Sequence, residues 1–151
     1  MGLMDRLFKQ EPQTLRCRLD PPRSEAERHP VVNLEEVEFL TPIAIIEQNA
    51  VTDDLMPLIF AIESSLRESL AECEKAFVLR IRCTIYPDRP VGIDMAAKIP
   101  MDRSEVWGAY EALNRLDAVQ LRARREPVRL QANFDITPRG IREKRANQTD
   151  A

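Results

Sequence analysis

The side chains of this sequence best able to do chemistry are arginines. Arg80 and Arg82 stand two residues apart, Arg124 and Arg125 are adjacent, and Arg129 follows soon after. Guanidinium groups at that density neutralise phosphates, and binding of that kind weakens as salt rises. A single-strand nucleic-acid binder also needs aromatic rings on which bases stack. Only Tyr86 stands near these arginines on the same strand face. A solvated charged surface accounts for the same residues, and arginine along a sheet also deters strand-to-strand aggregation.

Catalytic sets are harder to find. The single histidine, His29, stands beside Pro30 in a polar stretch and reads as a solvated loop side chain. No Ser-His-Asp or Cys-His arrangement follows from it. Cys17, Cys73 and Cys83 are odd in number and far apart, which suggests neither a disulfide framework nor a metal knuckle. Asp53 and Asp54 could hold a cation, but acids at a helix start already complement its dipole. No glycine-rich phosphate loop is present, and no spacing of metal ligands. The expectation is a chain without enzymatic activity, cofactor or metal.

The elements that must position these residues follow from periodicity. Leu55, Ile59, Ile62, Leu66, Leu70 and Cys73 form one apolar stripe, which predicts a helix over 52–74 capped by Thr52. Glu63, Ser64, Arg67, Glu68, Ala71 and Glu72 are then expected to face water. Phe77, Leu79, Ile81, Cys83 and Ile85 alternate with Val78, Arg80, Arg82, Thr84 and Tyr86, which predicts a half-buried strand over 77–86. A turn at Pro87-Asp88-Arg89-Pro90 leads into a second alternating segment, 91–99, and Pro100 ends it. Val106, Trp107, Tyr110, Leu113 and Leu116 predict a helix over 104–116. Val128, Leu130, Ala132, Phe134 and Ile136 predict a last strand. Val37, Phe39, Ile43, Ile45 and Ile46 suggest a further strand broken by Pro42, and 119–123 another short one.

The expected fold is α+β. It is a two-layer sandwich, an antiparallel sheet of three to five strands with two amphipathic helices on one face. Arg80, Arg82, Arg129, Gln131 and Asn133 should lie on the other face. Residues 1–30 read as an arm or linker, 31–137 as one domain and 138–151 as a disordered polar tail. Within the arm, Leu15, Cys17 and Leu19 alternate with arginines and allow an edge strand. Leu3 pairs with Leu7 and Met4 with Phe8 at helical spacing, which makes Leu3, Leu7 and Phe8 a candidate docking peptide in a short amphipathic turn.

The order of elements resembles the C-terminal domain of the TonB/TolA type. The resemblance covers about residues 52–137 and rests on that order and on Val78-Leu79-Arg80-Ile81-Arg82-Cys83-Thr84-Ile85-Tyr86-Pro87-Asp88. Arg89 follows Asp88 where that family usually has glycine. Lys98-Ile99-Pro100-Met101 stands where a Ser-Ser-Gly stretch often follows the second strand. The family's membrane anchor and proline-rich spacer have no counterpart in this sequence. The resemblance implies a fold and partner binding through a sheet edge. It does not carry envelope energy transduction with it.

Charge adds an asymmetry that the net value of −3 conceals. From Ser24 to Glu74 there are 12 acids against Arg28 and Arg67, a balance of −10. From Gln120 to Arg145 there are 8 bases against 3 acids, a balance of +5. Opposite regions attract within one fold or stack copies. No apolar run is long enough to span a bilayer, and the first residues lack the pattern of a secretory leader, so the cytoplasm is the expected location. Two roles remain as expectations. One is a protein-interaction or adaptor domain that docks a protein partner or another copy of itself through sheet edges. The other is binding of RNA or single-stranded DNA by the arginines.

Overall fold

The computed structural model describes residues 8–10, 16–19, 28–49, 52–97 and 103–141. The chain folds as the α+β sandwich that its periodicities predict. Four strands form the body of one antiparallel sheet: β3 (Val32–Phe39), β4 (Phe77–Ile85), β5 (Gly92–Ala97) and β6 (Val128–Ile136). Two short strands from the N-terminal arm, β1 (Phe8–Gln10) and β2 (Arg16–Leu19), extend it beyond β3. The order across the sheet is β1-β2-β3-β6-β4-β5. Helix α1 (Ile43–Gln48) follows β3. Helix α2 (Thr52–Ser69) packs over the β3 side of one face, and α3 (Arg103–Asn114) packs against α2 and over β5.

Alternation decides which face receives the helices. On β4 every second residue from Phe77 to Ile85 is buried, and on β6 Val128, Leu130, Ala132, Phe134 and Ile136 continue the same layer. Leu55, Ile59, Ile62 and Leu66 of α2 close the core from above. Burial of this apolar stripe gives the helix most of its stability, since propensity alone holds short helices weakly. Cys83 lies within the layer. Burial, with Asp94 as a lesser cause, pushes its thiol up to about 12, so it behaves as a core side chain rather than a nucleophile.

Several segments differ from the reading of the sequence. Ile43–Ile46 is helix, not strand. Pro42 has no N–H with which to extend a ladder, and its carbonyl instead accepts from the N–H groups of Ile45 and Ile46. The segment after α3 is a 3-10 turn, Asp117–Gln120, rather than a strand. Its neighbours tie it to the β4–β5 turn, where Val91 N–H donates to Val119 O and Ala123 N–H to Tyr86 O. In that turn Tyr86 lies against Gly92, where a Cβ would come within 3.3 Å of the ring. Arg89 stands over the Tyr86 ring, 4.6 Å from its centroid, and also holds the exposed Asp88 carboxyl below its ordinary range.

Phe8 is in a strand rather than a helical turn, and Leu3 and Leu7 lie outside the described residues. The arm also supplies a strand where its alternation allowed one, over Arg16–Leu19, but β1 flanks it, so it is not at the edge. At the other end Thr137 and Pro138 are buried, and Thr137 N–H donates to Val31 O. A turn closes over Pro138–Ile141, so residues 138–141 belong to the ordered chain, and the rest of the expected tail lies outside the described residues.

His29 is not a bystander. Its Nδ1 accepts from the N–H groups of Val31 and Val32 at 3.0 and 3.2 Å. Asn33 closes the same turn, accepting from His29 N–H and donating to His29 O, both at 2.8 Å. An acceptor at that position needs only an atom two bonds beyond Cβ, which asparagine Oδ1 also supplies. His29→Ala is therefore expected to lower stability by about 1–2 kcal/mol, and His29→Asn by less than half as much. Urea melts of the two variants check this, and equal losses would mean that the ring contributes by packing rather than by its nitrogen.

Candidate functional site

The face of the sheet turned away from the helices is polar, and its residues stand in rows. One row runs Arg16, Glu38, Gln131, Arg82, Asp94 across β2, β3, β6, β4 and β5. The next runs Lys9, Arg18, Glu36, Asn133, Arg80, Ala96. In the first row base, acid, amide, base and acid succeed one another from strand to strand, and in the second two bases, an acid, an amide and a base end at Ala96. On β3, β4, β5 and β6 alternation places these residues opposite the core, and pairing across strands sets the rows in register.

Hydrogen bonds join the rows. Arg82 donates to Gln131 Oε1 at 3.4 Å, and Gln131 Nε2 donates to Glu38 Oε2 at 3.4 Å and Asn133 Oδ1 at 3.3 Å. Asn133 Nδ2 donates to Glu36 Oε1 at 2.7 Å. Gln131 and Asn133 were expected to be exposed on this face, yet they are buried, because the longer side chains of the flanking strands roof them. Each amide offers both a donor and an acceptor, so each can bridge an acidic strand and a basic one.

The five arginines singled out by the sequence do not form one surface. Arg80, Arg82 and Arg129 are exposed on the strands. Arg124 and Arg125 lie in the loop before β6 and line a shallow cavity of about 330 Å³ with Gln48, Asn49 and Glu126. That loop is fastened by Asn49. Its Oδ1 accepts from Arg125 N–H at 2.7 Å and Glu126 N–H at 2.9 Å, while its Nδ2 donates to Ile45 O at 2.7 Å. Acids are interleaved with the strand arginines, so this face lacks the single positive sign that phosphate neutralisation requires.

Glu63 also departs from expectation. It was placed on the wet side of the helix, but it is 2% exposed. Glu35 is an extra residue in β3, between the pairs Leu34–Phe134 and Glu36–Asn133. The bulge turns Leu34 N–H toward α2, where Glu63 Oε2 accepts it at 2.6 Å. Arg67, one turn on, stands 3.3 Å from Glu63 Oε1 and donates to Val32 O. This pair docks α2 on β3. Among the described residues no group of three or more His, Cys, Asp or Glu side chains is placed to hold a metal ion. No helix among them is long and apolar enough to cross a membrane.

The remaining feature is an edge. Among the described residues β5 has one strand neighbour, β4, and its register runs unbroken from Thr84–Gly92 to Leu79–Ala97. Its sequence, Gly92-Ile93-Asp94-Met95-Ala96-Ala97, holds no lysine, arginine or proline. Natural edge strands are blunted by such residues, by bulges or by shortness. The opposite edge obeys that rule, since β1 has three residues and Lys9 at its centre. β5 does not. Trp107, 60% exposed and stacked on Tyr110 at 5.8 Å, belongs to α3, the helix that packs over this strand. The chain matches no family model, no curated protein and no solved structure.

Proposed function

We propose that this chain is a non-enzymatic protein-interaction domain that docks a partner by adding a strand to the edge of β5. The observation that carries the reading is the backbone of that strand: six residues in unbroken register with, among the described residues, one side unpaired, and Asp94 as the strand's only charge. Unpaired main-chain groups recruit a strand, and alternate side-chain positions set which strand fits. The resemblance to the TonB/TolA type implies the same mode of binding. The mixed signs of the outer face favour a protein over a nucleic acid, because acids repel phosphate wherever arginines attract it.

Proline scanning of the edge tests the proposal. Consecutive N–H groups of a strand point alternately toward one neighbour and the other. Of Ala96→Pro and Ala97→Pro, one therefore removes a bond to β4 and the other only a donor on the free side. Proline is tolerated where its missing N–H would face solvent. The full chain is used to capture companions from lysate of its own cells, with nuclease present. The edge-facing proline variant is expected to melt close to the wild type and to lose a protein companion that the wild type retains. Equal capture by wild type and both folded variants would contradict the proposal. A nucleic-acid companion that leaves as salt rises would replace it with the arginine reading.

A further inference from the structure

We infer that the strand that completes β5 belongs to a second copy of this chain, joined antiparallel about Met95. The inference rests on the edge-docking reading and names its occupant. A two-fold axis normal to the sheet keeps both helix layers on one side, so each residue must meet one that faces the same way. Within Gly92–Ala97 four inner positions can sit on the axis: Ile93, Asp94, Met95 and Ala96. Centring on Asp94 sets two carboxylates directly opposite each other, which is destabilising. Centring on Ile93 pairs only residues 92–94, and centring on Ala96 only residues 95–97, so either leaves half of the strand without partners. Centring on Met95 pairs residues 93–97 of each copy.

The Met95 register is complementary on both faces. On the helix side Ile93 meets Ala97 of the second copy, large against small, and Met95 meets its own counterpart. Ile93 is buried and Met95 packs on the core, so the apolar layer would continue across the seam. On the polar side Asp94 meets Ala96 of the second copy. Arg82 stands opposite Asp94 in its own chain, and Arg80 stands opposite Ala96. The row across the seam therefore reads Arg82, Asp94, Ala96, Arg80, the last two from the second copy. Two strand spacings, about 9.5 Å, separate Asp94 from that Arg80, and the alanine between them leaves its long side chain room to lean across. The acid at the seam thus has a base of the second copy beyond a single alanine. Helix α3 packs over β5, so the same assembly brings the two α3 helices toward the seam with their exposed Trp107 side chains.

Sedimentation of the full chain and two charge variants tests the register. Ala96 and Asp94 are exposed on the outer face, so substitutions there leave the core intact. The wild type is expected to be a dimer. Ala96→Glu sets a like-charged pair on each side of the axis and is expected to weaken dimerisation about tenfold or more. Adding Asp94→Lys to Ala96→Glu restores opposite signs and should restore the dimer. Met95→Cys should give a disulfide-linked dimer on mild oxidation, because directly opposed residues lie about 4.5–5.5 Å apart. A wild type that stays monomeric overturns the inference, as does a dimer that Ala96→Glu leaves unchanged. A monomer that still loses a companion on edge-facing proline substitution overturns self-pairing alone and leaves the edge-docking reading in place.

Discussion

Replacing Glu63 by alanine is expected to lower the stability of the domain by about 2–3 kcal/mol, the largest single effect we anticipate. The carboxylate accepts the N–H that the β3 bulge turns away from β6, and it faces Arg67. Alanine would leave a buried main-chain donor with no acceptor. Arg67 is 30% exposed and can turn to water, so the loss falls short of that for a fully buried ion pair. Glu63→Gln keeps an oxygen for Leu34 N–H and should cost less than half as much. For a chain of this length the alanine variant should melt about 5–10 °C lower. Thermal melts of both variants read the difference. An alanine variant as stable as the wild type would show that the bulge does not depend on this acceptor.

Asn49→Ala is expected to follow closely, with a loss of about 2 kcal/mol. One side chain makes three bonds to main-chain groups, two of them more than 70 residues away in sequence. The effect should be local first. Amide exchange at Arg125 and Glu126 should quicken under conditions where β4 and β6 still protect their amides. Asn49→Asp should lie between, since it keeps the acceptor but turns an oxygen toward the Ile45 carbonyl. Unchanged exchange at Arg125 and Glu126 in the alanine variant would mean that water replaces the side chain at no cost.

These two residues mark where sequence reasoning stopped. The strand β4 was legible to within one residue, Tyr86 lying just past its end, because every second side chain from Phe77 to Ile85 is apolar and every one is buried. The helix stripe from Leu55 to Leu66 was legible for the same reason. Glu63 was not, since a helical wheel assigns charged residues to water. Its one signal was its place four residues after Ile59, at the border of the stripe, with Arg67 a turn further on. Asn49 carried no signal at all, because its partners lie in a distant loop. Ile43–Ile46 misled through composition: β-branched residues favour strands, but Pro42 had already ended the ladder.

The arginines were legible as residues and not as a surface. Sequence alternation put Arg80, Arg82 and Arg129 on the outer face, and the structure places them there. Strand order, which no local pattern contains, is what inserts β3 and its acids between them and β2. The edge was hidden for a similar reason. The residues of β5 read as one arm of a hairpin, and only the order of the sheet leaves its other side without a strand among the described residues.

The open edge of β5 is the central claim, and amide hydrogen exchange over Gly92–Ala97 in the full-length protein tests it most directly. In dilute solution, alternate amides of this strand should exchange fast while their neighbours, bonded to β4, stay protected. As the protein is concentrated and a second copy adds its strand, the fast amides should slow toward the rate of their neighbours. Slow exchange of every amide in β5 from a chain that remains monomeric would contradict the account, because the edge would then already be covered.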